Sequence, residues 1–407
     1  MTSLSPVPRW ARAGTAAVAM FAVSACADSA TGPSRASFEA SPSPDAVQFN
    51  EALASVAWNG VARGLTNKYP TSQQGGTRLF AYLSLAQYDA EIAAEDGKDN
   101  GEHPSPAAAV AGASAVVLAA QYPAEANALD VLVAAQANSP TWPGNAQKSF
   151  AAGEAIGRAI GQRILTSEAS DGFTSAADVT IPVCPGCWFS AAPPVFPRLA
   201  EMRPFFLTSA SQFRSPPPPA FESPAYLTAL AEVRQIADTR TPEQTAIAKF
   251  WALPGGYAVA QSYNNQIATD LITEFHLDER RGAHALALLN MAVMDAFIAC
   301  HDAKYTYWLL RPSMADPGIN LAIGLPNHPS YPSNHACVTG TSMAVLGALF
   351  PSRADELWQK AEEAGISRIY GGIHYRFDMD AGLTLARQVS DWSIAHDING
   401  HNPFPIR

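Results

Sequence analysis

Apolar positions between Gln48 and Ser167 recur at intervals of three and four residues, the period of a helix with one buried face. The spacing predicts helices over Gln48 to Leu65, Gly76 to Ala94, Pro106 to Gln121, Glu125 to Gln136 and Ala146 to Ser167. Strictly alternating β-branched runs are scarce, so the chain reads as all-α. The pattern breaks from Cys184 to Pro224, where Pro216 to Pro219 and several single prolines suit neither helix nor central strand. This predicts a long irregular connection that wraps a domain rather than separating two. Helices resume at Pro224 and at Thr241-Pro242-Glu243-Gln244, which has an N-cap Thr, Pro at the first helical position and Gln two residues later. A longer pattern runs from Asp278 to Leu310 and stops near Pro312. Further helices are predicted from Ser333 to Leu349, from Arg353 to Ala364 with Gly365 as C-terminal cap, and from His374 to about His396.

The first residues follow a different pattern. Arg9 and Arg12 precede Ala13 to Ala25, a small-residue apolar stretch too short to span a bilayer as a mature helix. It ends in Val23-Ser24-Ala25-Cys26, which resembles a bacterial lipobox. The expectation is a lipoprotein-type signal over residues 1–26, lipidation of Cys26, a Ser-, Pro- and Ala-rich tether over 27–46 and one helical domain over 47–407, with its motif core at 278–396. The protein is then exported to the cell envelope and meets the membrane surface only through its N-terminal lipid. No other segment reads as long and apolar enough to cross a bilayer.

Composition narrows the function classes. Of 407 residues, 48% are hydrophobic, enough for a sizeable core. The net charge is -10 and no basic run occurs, which excludes a nucleic-acid binder of the usual kind. Any anion site must be a local cluster of positive charge on an acidic background. Cys184-Pro185-Gly186-Cys187 is a CxxC. Export favours a short local disulfide there, and the lack of a second CxxC argues against a four-Cys zinc site. Cys300 and Cys337 read as buried thiols whose pairing stays open.

Three short segments gather the candidate chemistry. In Lys304-x6-Arg311-Pro312, seven residues are nearly two helical turns, so both cations are expected on similar faces of a helix end. In Pro332-Ser333-Asn334-His335, a helix start offers free backbone N–H groups to an anion, Ser333 adds a hydroxyl, and His335 can give or take a proton near neutral pH. In Ser367-Arg368-x5-His374-x3-Asp378, Arg368 adds a third cation. Asp378 accepting from Nδ1–H would orient His374 and free its Nε2, and Gly371 and Gly372 permit the turn that delivers it.

Together these segments resemble the three-part signature of the phosphatidic acid phosphatase type 2 / vanadium haloperoxidase superfamily. Arg203-Pro204-Phe205 and Gln212-Phe213-Arg214 also resemble the loop that precedes the core in its soluble bacterial members. Asn334 stands where the family usually has Gly, keeping the N–H and adding a side chain. The resemblance implies an all-helical fold with the anion held between helices. It implies that His374 bonds to vanadium or phosphorus, that His335 is the acid/base, and that Lys304, Arg311, Arg368, Ser333 and the Asn334 N–H neutralise the oxygens.

One implied activity is halide oxidation by hydrogen peroxide at vanadate carried on His374. His328 matches a histidine near the vanadate of bromide-oxidising members, and His301 lies one turn before Lys304. The other is hydrolysis of a phosphate ester with His374 as nucleophile and no cofactor. A non-catalytic phosphate binder is a third reading, and a zinc protein is disfavoured by the three cations.

Overall fold

A computed structural model describes residues 53–96, 103–138 and 146–397. The signal, the tether and Cys26 lie outside the described residues. Those described contain thirteen α-helices and no extended strand. The first five are α1 (Ala54–Lys68), α2 (Gln73–Asp96), α3 (Pro106–Gln121), α4 (Ala126–Ala137) and α5 (Ala146–Glu168). Then come α6 (Pro224–Thr239), α7 (Pro242–Ala252), α8 (Ala260–Glu274) and α9 (Glu279–Tyr307). The series ends with the single turn α10 (Pro312–Ala315), α11 (Asn334–Leu349), α12 (Ala354–Tyr370) and α13 (Arg376–Ala395).

The starts follow local chemistry. Ser105, Ser223 and Asp278 cap α3, α6 and α9 through their side chains, and Thr241 with Gln244 forms the expected capping box of α7. Two ends differ from the sequence reading. Gly365 does not stop α12, which runs on to Tyr370 and carries Arg368 in its last turn. A Cβ at Gly365 would stand 2.8 Å from the Met379 side chain, so the glycine serves close packing on α13 rather than capping. Helix α9 ends at Tyr307, where Trp308 turns left-handed with φ 50°.

Helix α9 is the central element and packs on α2, α11 and α13. It is in fact long and apolar enough to cross a membrane, unlike the sequence reading, but 94% of its apolar window is buried within the protein. It is thus the core helix. Asn290, on its middle turns, donates to Ser84, Asn265 and the Leu286 carbonyl and accepts from Gln261, a buried network with its hydrogen bonds made. Helices α3 and α5 approach closely because Gly157 lacks a side chain: a Cβ there would stand 1.9 Å from the Ala109 carbonyl oxygen.

The irregular connection between α5 and α6 lies along the motif core. Buried Asp295 on α9 accepts from the N–H groups of Phe205, Phe206 and Leu207 at 2.6, 2.6 and 2.9 Å. Arg214 forks onto Asp302, and the hydroxyls of Tyr305, Tyr307 and Tyr331 donate to carbonyls of Val195, Ser215 and Pro216. The Cys184–Cys187 disulfide closes a turn at the start of this segment. Its backbone pairs with the stretch after α9: Trp188 N–H donates to the Trp308 carbonyl at 2.6 Å, and Leu310 N–H to that of Gly186 at 2.9 Å.

Candidate active site

Helices α9, α11, α12 and α13 bring the three sequence segments together. Helix α9 supplies Lys304, and its left-handed exit supplies Arg311. Because the helix has ended, Arg311 does not share a helical face with Lys304 as the spacing suggested; the reversal at Trp308 brings it back. Ser333 caps the backbone entry to α11, Arg368 closes α12, and the turn at Gly372, with φ 81°, delivers His374 ahead of α13.

Asp378 sits at the third position of α13, where a carboxylate meets free N–H groups and the positive end of the helix dipole. It accepts from His374 Nδ1 at 2.7 Å, from Ser330 Oγ at 2.5 Å and from the Tyr375 N–H at 3.1 Å. The bond to Asp378 fixes the imidazole with the proton on Nδ1 and the lone pair on Nε2. Arg311 Nη1 lies 3.1 Å from that Nε2. Burial, then the nearby Arg311 and Lys304 charges, hold the His374 pKa well below the usual histidine value. Burial also pushes Asp378 up to about 6, against the opposing effects of its hydrogen bonds and the cations.

Lys304, Arg311 and Arg368 are all buried, and one carboxylate, Asp378, reaches their midst. Desolvation lowers them to about 8, 10 and 9 respectively. A buried cation needs acceptors on its protons, and backbone supplies most of them. Lys304 donates to the carbonyls of Pro329, Ser330 and Pro332. Arg311 donates to those of His328 and Ile373 at 3.0 and 2.8 Å, and Arg368 to that of Ala248 at 2.8 Å. Lys304 and Arg311 therefore sit beneath the cavity surface and hold the 328–332 turn as well as charge the site. The Ser333 hydroxyl is buried without a hydrogen-bond partner.

Above this layer opens a cavity of about 460 Å³, walled by His328, Asn334, His335, Arg368 and His374 among others. It is far larger than a tetrahedral oxyanion. His335 is half-buried, and its Nε2 meets the Trp251 carbonyl at 2.8 Å. Burial, then Arg368 and Lys304, lower its pKa to about 3. His328 stands against Arg311, Nδ1 to Nη2 at 3.0 Å. His301 is not on the cavity wall; its ring lies 6.1 Å from that of His328, with Nδ1 against the Phe297 carbonyl at 3.1 Å. The Asn334 side chain turns away from the α11 entry to accept from the Cys300 thiol at 3.1 Å.

Sequence reasoning missed Ser330, although it lies within the motif stretch between His328 and Pro332. It missed the carbonyls of Ala248, Trp251 and Ile373 as well, and no residue type signals those. No cluster of three or more His, Cys, Asp or Glu fit for a metal cation occurs among the described residues.

Residues 284–394, which contain every one of these site groups except the turn of α7 that Arg368 and His335 lean on, match the PAP2 superfamily model. The chain carries a PAP2 superfamily core over these residues. Among solved structures, a bacterial vanadium-dependent iodoperoxidase aligns with TM-score 0.71 and 25% identity over 84% of this chain and 95% of that one. A holo-type bacterial vanadium-dependent chloroperoxidase aligns with TM-score 0.65 over 87% and 95%, at 15% identity, a likeness of fold alone. In sequence, a non-specific acid phosphatase of Providencia stuartii is 27% identical over 42% of this chain and 68% of its own length. One from Salmonella typhimurium is 36% identical over 23% of this chain and 40% of its own length. The all-helical haloperoxidase-like fold is thus established, and the PAP2 core supports an enzyme of the phosphatase or haloperoxidase kind.

Proposed function

We propose that this protein is a vanadate-dependent haloperoxidase that oxidises halide with hydrogen peroxide. The observation that carries the reading is the likeness to the bacterial iodoperoxidase, which spans 84% of this chain and 95% of that one. His335 rests with its Nε2–H on the Trp251 carbonyl, which leaves the Nδ1 lone pair to exchange a proton with a bound oxyanion or peroxide.

The residues fit a bound vanadate. Three buried cations against one carboxylate call for an anion, and the unpartnered Ser333 hydroxyl lies at the α11 entry. When bound, vanadate supplies Lewis acidity that makes a peroxide oxygen electrophilic. His374 would hold it through Nε2, with Asp378 fixing the ring; Arg311 Nη1 then exchanges its contact with the imidazole for one with oxygen. Arg368, Ser333 and the first N–H groups of α11 would neutralise charge, and Lys304 acts by its field and by holding the 329–332 carbonyls. His328, beside Arg311, stands where it can meet a halide. His301 supports His328 from behind.

Phosphate-ester hydrolysis is the second reading, favoured by the acid phosphatase likeness within the motif region. There His374 Nε2 attacks phosphorus, and the arriving dianion raises the His335 pKa until the ring can serve as acid. The deciding experiment measures dye bromination with vanadate, bromide and hydrogen peroxide beside p-nitrophenyl phosphate hydrolysis without vanadate. Bromination is expected; brisk hydrolysis with no bromination at saturating vanadate overturns the proposal. Export and a lipid at Cys26 belong to the same reading, and palmitate label that persists in Cys26→Ser would sink the anchor.

A further inference from the structure

Cys300 and Cys337 face each other across α9 and α11, the two helices that carry Lys304 and His335. Both are fully buried free thiols, and their Sγ atoms lie 2.6 Å apart. Sulfurs placed side by side in this way need only a further approach to about 2.05 Å to form a disulfide. The pair sits at a sensitive level of the fold. Cys300 is one helical turn before Lys304, and Cys337 is two residues after His335. As thiols they form a chain in which Cys337 Sγ–H donates to Cys300 Sγ and Cys300 Sγ–H to Asn334 Oδ1.

We infer that the mature exported protein carries a Cys300–Cys337 disulfide, a modification site that clamps α9 to α11 beneath the oxyanion pocket. Two S–H bonds break and one S–S bond forms. Two protons and two electrons pass to a disulfide of the envelope's thiol-exchange proteins, which leaves as a dithiol. The exchange precedes closure of the core, because the finished fold buries both sulfurs out of reach of an exchange partner. The clamp fixes the spacing between the Lys304 turn and the α11 entry. It also removes the thiol proton donated to Asn334, freeing that amide to face the cavity. The inference is independent of whether the pocket serves vanadate or a phosphate ester.

The test uses the full chain exported to a bacterial periplasm, denatured in iodoacetamide without reductant, digested and analysed by mass spectrometry. The expected result is a peptide pair joined through Cys300 and Cys337, with neither carbamidomethylated and both becoming so after reduction. Alkylation of both on most of the protein, or linkage of either to Cys184 or Cys187, overturns the inference. A second measurement compares melting of Cys184→Ser/Cys187→Ser after unfolding and refolding with and without strong reductant, which reaches the remaining pair only in the unfolded chain. Reductant is expected to lower the midpoint by roughly 5 °C; an unchanged midpoint also overturns it.

Discussion

Two pairs of helices in this protein both use glycine for close approach and differ in what else their interfaces bury. Between α3 and α5 the interface is made of absences: at Gly157 a single added carbon would collide with the Ala109 carbonyl. Between α11 and α13, Gly340 and Gly382 likewise admit Ala386 and Ala336, but hydrogen bonds and charge are added, with Ser333 N–H donating to the Asp378 carbonyl and His374, Asp378 and Ser330 joined beside it. The first pair stores its stability in dispersion contacts, which any backbone of the right shape can accept. The second buries groups that cost free energy to desolvate, so it persists only where their chemistry is used. The comparison predicts that damage to the first region is read in stability and damage to the second in turnover.

The largest effect tests the second half of that statement. His374→Ala should lower turnover by at least about 10³-fold, since the group bonded to the reacting centre is lost, while the melting midpoint moves little. Retained turnover removes His374 from the site. Asp378→Asn should cost about 10- to 100-fold, the usual scale for an orienting partner, with circular dichroism unchanged.

Gly157→Ala tests the first half. It should destabilise the fold by about 3 kcal/mol through overpacking against backbone, with turnover per folded molecule unaltered. Urea midpoints check the former and active-site-normalised rates the latter; a loss of rate without loss of stability breaks the division between the regions.

A smaller effect is set by pH. Burial pushes the Lys304 pKa down to about 8 in the folded protein, below the ordinary lysine value of 10.5. In the anion-free protein the unfolded chain therefore holds more protons between these values, and stability rises with pH across that window. A bound anion favours the ammonium and opposes the rise. Phosphate should bind roughly tenfold less tightly at pH 9 than at 7.5, one lost charge's worth, and isothermal titration gives the sign directly. Tighter binding at pH 9 would contradict a charged Lys304 in the pocket.

The smallest effect concerns a support of the second region. Cys184→Ser/Cys187→Ser should reduce turnover only about threefold, on the scale of one weakened backbone contact, because the turn touches the chain just before Arg311 and not the pocket itself. Equal rates before and after reduction of the unmodified protein would dismiss that support.

Much of this was legible before any coordinates. The caps at Ser105, Ser223, Thr241 and Asp278 write helix starts in residue types whose side chains satisfy free N–H groups. The order and spacing of Lys304, Arg311, Ser333, His335, Arg368, His374 and Asp378 named the groups the fold gathers. Other features had no signal of their own. Trp308 occupies a left-handed conformation that no tryptophan advertises, so the geometry linking Lys304 to Arg311 was misread as helical. Gly365 reads as a helix stop because glycine is common there, yet it answers to Met379 on another helix. The carbonyls that take up the protons of Lys304 and Arg311 belong to backbone, which is the same at every residue. For that reason the sequence suggested cations open to an anion, and the fold shows two of them sunk beneath the cavity floor.

The Cys184–Cys187 turn has one more consequence. Cys184 is exposed, while Trp188, a residue beyond the bridge, is buried against the chain that presents Arg311. The surroundings thus reach the chain that presents Arg311 through residues that do not line the cavity. A small reductant outside need not enter the cavity to slacken its floor, and an inhibitor filling the cavity would not shield that route.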